Sequence, residues 1–170
     1  VNDKAFERVT GYFKDGNIIY GGRTDAATRF IEPTLIENVP LDSPLMTEEI
    51  FGPVFPIVTF EDNFKERVIE FVTSREKPLA FYYFGKESDG WEIIRRTSSG
   101  GGCINDVIMH IANENVPFGG VGNAGMGRYH DKDSFDAFSH TRSIIATGTW
   151  IDLPFRYMPY KMFGLVKKIL

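Results

Sequence analysis

The chain of 170 residues has a single cysteine, Cys103, so no internal disulfide can staple it, and a lone thiol fits a reducing, intracellular and cytoplasmic setting. No apolar run approaches the roughly eighteen residues needed to span a bilayer, and the first residues lack the plan of a signal peptide. Positive charge is not in excess either: a net charge of −4 gives no electrostatic case for a nucleic-acid partner. Histidine is scarce, and His110, His130 and His140 have neither the mutual spacing nor the acidic neighbours of a zinc site, so no metal is expected. Ser98 and Ser99 have no partnered histidine at a recognisable spacing, and no Walker-type phosphate loop is present. Internal repeats and low-complexity linkers are absent. What is there is a length suited to one domain and an even mixture of apolar and charged residues, typical of a globular chain with a core.

The most informative stretch is Glu48-Glu49-Ile50-Phe51-Gly52-Pro53, between the turn at Asp42-Ser43-Pro44 and the apolar run from Val54 to Phe60. An acidic pair, an aromatic ring and a Gly-Pro break stand at the mouth of a buried strand. A carboxylate accepts two hydrogen bonds at once, which suits the paired hydroxyls of a ribose, and a ring offers a flat face to a planar heterocycle. Gly52 is expected to let a ligand approach the backbone, and Pro53 to set the exit into the strand. Composition alone favours a plainer reading, a solvated acidic loop with a core phenylalanine.

Taken in order, Ala5, Phe6, Val9, Tyr12 and Phe13 recur at helical spacing behind Asn2 or Asp3 as cap, with Gly11 weakening the end. Asn17 to Tyr20 reads as a short strand closed by Gly21-Gly22, and Arg29 to Val39 as an extended segment interrupted by Pro33. Phe55 to Phe60 suits a strand buried on both faces. Asp62 or Asn63 then caps a helix whose face is Phe64, Val68, Phe71 and Val72. Leu79 to Phe84 is a second apolar strand, so strand, helix and strand follow one another as a right-handed crossover requires. Ser88 caps a short helix through Trp91 and Ile94, and a further strand runs around Cys103 to Val107. Beyond a glycine-rich loop come a short amphipathic helix with Phe135 and Phe138, a strand from Arg142 to Ala146, and a terminal helix over Lys161 to Leu170. The alternation predicts an α/β layer architecture.

Two tempting motifs are rejected. Gly120-Val121-Gly122-Asn123-Ala124-Gly125 has the spacing of a dinucleotide-binding fingerprint, but no strand, apolar helix and second acid-bearing strand frame it. These glycines are expected to let a loop pack tightly beside a channel. Cys103 lies in Gly102-Cys103-Ile104, a strand interior, and is expected to be a buried structural thiol and no nucleophile.

Glu48-Glu49-Ile50-Phe51-Gly52-Pro53 closely resembles the signature of aldehyde dehydrogenases, and Pro117-Phe118-Gly119-Gly120-Val121-Gly122-Asn123-Ala124-Gly125-Met126-Gly127 resembles that family's late glycine-rich loop. Arg75-Glu76-Lys77-Pro78-Leu79-Ala80, Ser98-Ser99-Gly100-Gly101, Asn105-Asp106-Val107 and Phe138-Ser139-His140 look like the class 3 branch, which includes fatty and aromatic aldehyde dehydrogenases. Several separated motifs in the right order make the resemblance specific over nearly the whole chain. It implies part of the aldehyde dehydrogenase catalytic domain, a mostly parallel sheet with flanking helices: residues 1–140 as its C-terminal portion, 141–149 as an oligomerisation strand and 150–170 as a tail.

The resemblance also implies roles. In the family a cysteine thiolate attacks the aldehyde and a glutamate activates water, and this chain carries neither group in a matching motif. With Val1 opening in the middle of an element, the chain looks like the C-terminal part of a longer enzyme. The alternative is a truncated, non-catalytic relative acting as a dimerisation or regulatory subunit. Carried over by position are Glu49, as the carboxylate on the nicotinamide ribose of NAD or NADP, and Phe51, as the ring beside the nicotinamide. Ile108, Ile111, Phe118 and His130 carry over as the aldehyde channel, with the small Ala112 at its edge. This apolar set suits medium, long or aromatic aldehydes. His140 is expected to serve packing. A homodimer is implied, and Phe163, Leu165, Val166 and Leu170 with Lys161, Lys167 and Lys168 would rest either on a membrane surface or on the enzyme's own body.

Overall fold

The computed structural model describes residues 2–150, 152, 157–159, 164, 167 and 168. Asn2 is the cap of the first helix: its Oδ1 accepts from the Ala5 backbone N–H at 2.9 Å, satisfying one of the donors that a helix start leaves free. The helix, α1 (Asp3–Gly11), tightens into a 3-10 turn over Tyr12–Asp15, so Tyr12 and Phe13 lie past the α-helical part. Together they bury Val9 and Tyr12 against a three-stranded sheet.

In that sheet the central strand β4 (Thr34–Glu37) pairs antiparallel with β1 (Asn17–Tyr20) and parallel with β5 (Val54–Ile57). Before β4, Gly21 turns the chain at a φ of +77°, where a Cβ would sit 2.1 Å from the Pro33 carbonyl oxygen. A small antiparallel hairpin of β2 (Thr24–Asp25) and β3 (Phe30–Ile31), too short to show a period, fills the connection. The first core cluster gathers Val9, Tyr12, Ile36, Val39, Leu45 and Val54, with Leu45 supplied by the single-turn helix α2 (Pro44–Thr47).

The expected doubly buried strand after the acidic loop is corrected by the structure. β5 ends at Ile57 and is the sheet's edge, with no strand beyond it among the described residues, and Phe55 is 66% exposed. The crossover is also placed differently. α3 (Phe64–Thr73) follows β5, but β6 (Ala80–Tyr83) belongs to another sheet, where it pairs parallel with β7 (Gly101–Ile104). Beside the parallel β4–β5 pair, the strand–helix–strand unit of this part of the chain is therefore β6, α4 (Glu87–Arg96) and β7.

Three local readings shift with it. Asn63 precedes α3 in a left-handed conformation and makes no side-chain cap bond, and the side chain that α3 buries is Ile69, while Phe64 stays exposed. In α4 the cap position is Lys86, not Ser88, and the buried pair is Gly90 and Ile93 instead of Trp91. Gly90 decides that face. A Cβ there would lie 2.7 Å from the Tyr83 ring, so the helix can approach β6 only through its glycine, and Ile93, one turn on, follows it inward. β7 leaves the ladder at Asn105, whose side-chain amide bonds the Gly85 backbone twice, at 2.8 and 3.0 Å. Ile69, Tyr83 and Ile93 form the second core cluster.

At the rim of this second cluster, Arg96 bonds both carboxylate oxygens of Glu66, at 2.5 and 2.6 Å, tying α4 to α3. The hydrogen bond to Arg96 holds the Glu66 carboxyl below the usual glutamate range. A carboxyl lowered in the folded state stabilises fully above its unfolded pKa of about 4.3, and the contribution is lost as the pH falls through the lower folded value. Arg96→Ala should therefore lower the thermal midpoint near neutrality, by a small amount because both groups are solvated, and leave it unchanged at acid pH, so the acid limb of a midpoint-against-pH curve flattens by that same amount. An unchanged acid limb would remove the pair from the account.

Past β7 come the single-turn helix α5 (Met109–Ala112), which the sequence reading missed, and α6 (Asp131–Ala137). Phe135 and Phe138 of the expected amphipathic helix are both exposed, Phe138 at 95%, so α6 has no packed face within the described residues. Residues 141–149 enter no ladder within the described chain, since a strand needs a neighbour and none lies beside them. His140 is exposed and does not serve packing as expected. The expected terminal helix over 161–170 falls largely outside the described residues, including Lys161, Phe163, Leu165, Val166 and Leu170; Lys167 and Lys168 are exposed. Among the described residues no helix is long and apolar enough to cross a membrane.

Candidate functional site

The acidic loop is held from beneath by one face of α1 and its 3-10 extension. Arg8, half-buried, donates from Nη1 to the Glu49 carbonyl at 3.2 Å and from Nη2 to the Ile50 carbonyl at 2.9 Å. The same Nη1 donates at 2.5 Å to the Tyr12 hydroxyl, which in turn donates to Glu48 Oε2 at 2.8 Å. Burial raises the Tyr12 hydroxyl above its ordinary pKa and the bond to Glu48 adds to this, while Arg8 works the other way. One turn on, Asp15 accepts from the Leu45 backbone N–H at 3.0 Å, anchoring the start of α2.

This arrangement separates two carboxylates that the sequence leaves equivalent. Glu48 is committed to Tyr12. Glu49 is exposed, and among the described residues its side chain has no hydrogen-bond or ion-pair partner. Phe51, next along, is 76% exposed at a φ of +41°, a conformation that costs an aromatic residue energy and needs its neighbours to hold it. Its ring borders a groove of about 570 Å³ shared with Val9, Arg29, Phe30 and Pro53. Gly52 has a different use from the one expected: a Cβ there would lie 2.7 Å from Val9, so the glycine admits α1, not a ligand, to the backbone.

A second locus lies on the other core cluster. Phe118 and Tyr129 form an isolated antiparallel bridge with backbone bonds of 3.0 and 2.9 Å, which brings their rings to 5.7 Å edge-on. His130 stacks on Phe118 at 6.2 Å, and its Nδ1–H donates to the Val116 carbonyl at 2.9 Å, fixing the ring's orientation. Ile108 is exposed and Ile111 half-buried, and the Ile111 N–H bonds the Ile108 carbonyl at 2.7 Å around the start of α5. Ala112 is exposed at the end of the same turn. Of the four expected channel residues, Phe118 and His130 are in ring contact and Ile108 and Ile111 share the start of α5. No hydrogen bond, ion pair or ring contact among the described residues joins them to Glu49 or Phe51.

What links the channel residues was missed at the level of sequence. His110 lies 5.5 Å from both the Tyr82 and Phe118 rings, and its Nδ1 is 3.7 Å from the Cys103 thiol. A Cβ at Gly101 would stand 2.7 Å from this imidazole, so this glycine, two residues before Cys103, makes room for it, a signal no local period carries. Cys103 itself is half-buried and borders a groove of about 730 Å³, which corrects its expected burial. Among the described residues β7 pairs only with β6, so its other edge is unpaired.

The glycine-rich loop is tightly packed. A Cβ at Gly120 would fall 2.1 Å from the Ala124 carbonyl oxygen, and Gly122–Ala124 form only a 3-10 turn, without the helix that a dinucleotide fingerprint needs. Among the described residues no group of three or more His, Cys, Asp or Glu could hold a metal.

Comparisons with known proteins agree on one family. The model of the aldehyde dehydrogenase family matches residues 1–144. The chain is 44% identical over 164 residues to the 4,4'-diaponeurosporen-aldehyde dehydrogenase of Staphylococcus aureus, covering 95% of this chain and 35% of that protein. It is 46% identical over 162 residues to the dimeric NADP-preferring aldehyde dehydrogenase of Canis lupus familiaris, covering 94% and 35%. Among solved structures, the substrate-bound state of Staphylococcus aureus AldH superimposes with a TM-score of 0.83 at 44% identity, over 99% of this chain and 37% of that one. The chain spans about a third of the length of these relatives.

Proposed function

This chain belongs to the aldehyde dehydrogenase family, in its class 3 branch, and on that premise we propose that it is the C-terminal part of an NAD(P)-dependent enzyme oxidising medium-chain, long-chain or aromatic aldehydes to carboxylic acids. The observation that carries the proposal is the unequal state of the acidic pair: Glu48 is bound to Tyr12, whereas Glu49 has no side-chain partner among the described residues and stands two positions before the exposed Phe51. The residues present fit a nicotinamide ribose. A free carboxylate on a braced loop accepts from two vicinal hydroxyls, and an exposed ring next to it limits where a flat heterocycle can lie.

When bound, the nicotinamide supplies the hydride acceptor. The thiol that forms a thiohemiacetal with the aldehyde and the glutamate that activates water lie outside these 170 residues. Within them, Glu49 and Phe51 orient the cofactor, while Ile108, Ile111, Phe118 and His130 shape an apolar passage for the aldehyde. Such a wall separates chain lengths by only about 1 to 3 kcal/mol per methylene, so it favours a class of aldehyde over a single one. Residues 141–149 are the segment we assign to pairing with a second subunit: Ile144 and Ile145 are exposed there with no strand beside them among the described residues.

The isolated 170 residues should not oxidise aldehydes, whereas the complete enzyme should do so with unchanged turnover when Cys103 is replaced by Ala. Aldehyde oxidation by the isolated chain, abolished by Cys103→Ala, would overturn the placement of the nucleophile elsewhere.

A further inference from the structure

We infer that Arg8 is a positioning residue for hydride transfer, a clamp that sets the height of Glu49 and the tilt of Phe51 from the far side of their loop. The inference rests on the proposed ribose role of Glu49 and extends it to a residue that touches neither substrate nor cofactor.

The geometry assigns the clamp its work. A guanidinium is planar, with its donors in a fixed fork, so two carbonyls bonded by one group are held at a set separation. Arg8 takes the Glu49 and Ile50 carbonyls at 3.2 and 2.9 Å, the two that immediately precede Phe51. Phe51 is the residue at φ +41°, and it relaxes away from that conformation unless the preceding carbonyl is fixed. Tyr12 completes the device from the other side, accepting from Arg8 at 2.5 Å and donating to Glu48 at 2.8 Å. One acid of the pair therefore serves as the anchor and leaves the other for the ligand. Val9, between Arg8 and Tyr12 in sequence, meets the missing side chain of Gly52 and closes the same face. Contacts 41 and 42 residues apart in the chain thus converge on the loop that must be still while a hydride moves.

The geometry also predicts how substitutions differ. Arg8→Met keeps most of the apolar stem of the side chain and removes all three bonds. Arg8→Lys keeps the charge but offers a compact ammonium in place of a planar fork, and restores the clamp only in part. Tyr12→Phe cuts the link between Arg8 and Glu48 and leaves the buried ring.

The test uses the complete enzyme. Hydride transfer is followed in a single turnover by the appearance of reduced nicotinamide, and cofactor dissociation is measured separately. Arg8→Met should slow transfer by about tenfold to a hundredfold, the range for a misplacement approaching 1 Å, with Arg8→Lys and Tyr12→Phe between it and the parent. Cofactor dissociation should stay within about twofold, and the isotope effect of a deuterated aldehyde carbon should rise as transfer limits turnover. Adding Glu49→Gln to Arg8→Met should slow the reaction by no more than about twofold beyond the worse single variant, because both act on one group.

A thermal loss in the Arg8 variants with transfer at the parent rate is what a merely structural role produces, and it overturns the clamp. So does a double variant whose losses multiply. If Glu49→Gln is slow and the Arg8 variants are not, the clamp alone fails and the ribose reading stands. If Glu49→Gln itself transfers hydride at the parent rate, the ribose reading fails and the inference falls with it. Should Arg8→Met not fold, Arg8→Lys and Tyr12→Phe decide by the same criteria.

Discussion

Glu49→Gln in the complete enzyme should slow hydride transfer on the order of a hundredfold while cofactor dissociation hardly changes. The substitution keeps the shape of the side chain and replaces two charge-assisted bonds by weaker neutral ones, so the nicotinamide end gains freedom. On the proposed function the adenine end of the cofactor is bound by the part of the enzyme outside this chain, so affinity is expected to hold. Glu48→Gln is the matched comparison. Its amide oxygen still accepts from the Tyr12 hydroxyl, so the loop keeps its anchor and transfer should stay near the parent rate. Single-turnover measurements on the two variants decide the matter: equal rates would leave no basis for assigning the ribose to Glu49 over Glu48.

The second large effect is on stability. Ile36 is 0% exposed at the centre of β4, between β1 and β5, and packs in one cluster with Val9, Tyr12, Leu45 and Val54. Ile36→Ala removes three carbons from a site whose neighbours are held by ladders on both sides, so the space cannot close, and the cost should be about 2 to 5 kcal/mol. That is a large part of the roughly 5 to 15 kcal/mol by which a folded domain is stable. Ile36→Val, which loses one methylene, should cost about 0.5 to 1.5 kcal/mol. Denaturant midpoints at constant slope give both values. A midpoint for Ile36→Ala indistinguishable from that of Ile36→Val would show that β4 is not the centre of this core. Because the same cluster underlies the acidic loop through Val9 and Leu45, the alanine variant should also slow hydride transfer, and Ile36→Val should not.

Those two experiments probe features of different legibility. The acidic loop and the glycine-rich loop are contiguous stretches whose residue types already state their chemistry, so both were visible in one dimension. The helix over Asp3–Gly11, the strand Asn17–Tyr20 and the strand around Thr34–Glu37 were also readable, because their apolar spacing and their glycines lie within one window. α4 was misread on its face for the opposite reason: Gly90 has no hydrophobic side chain to score, yet its emptiness is what lets Tyr83 in. His110 was dismissed for having no partners nearby in sequence, and its partners Tyr82, Cys103 and Phe118 come from two strands and a loop.

By itself, then, the amino-acid order determined the α/β class, the family and the loop that we propose meets the cofactor, since these rest on composition, short-range period and uninterrupted motifs. Only the tertiary structure decided which member of Glu48 and Glu49 is free, what Gly52 makes room for, and that β5 is an edge. Each of those turns on a group brought from far along the chain: Tyr12 lies 36 residues from Glu48, and Arg8 reaches carbonyls 41 and 42 residues away. A hydrogen bond acts over about 3 Å of space whatever the separation in sequence, and a local pattern carries no record of that distance until the chain has folded.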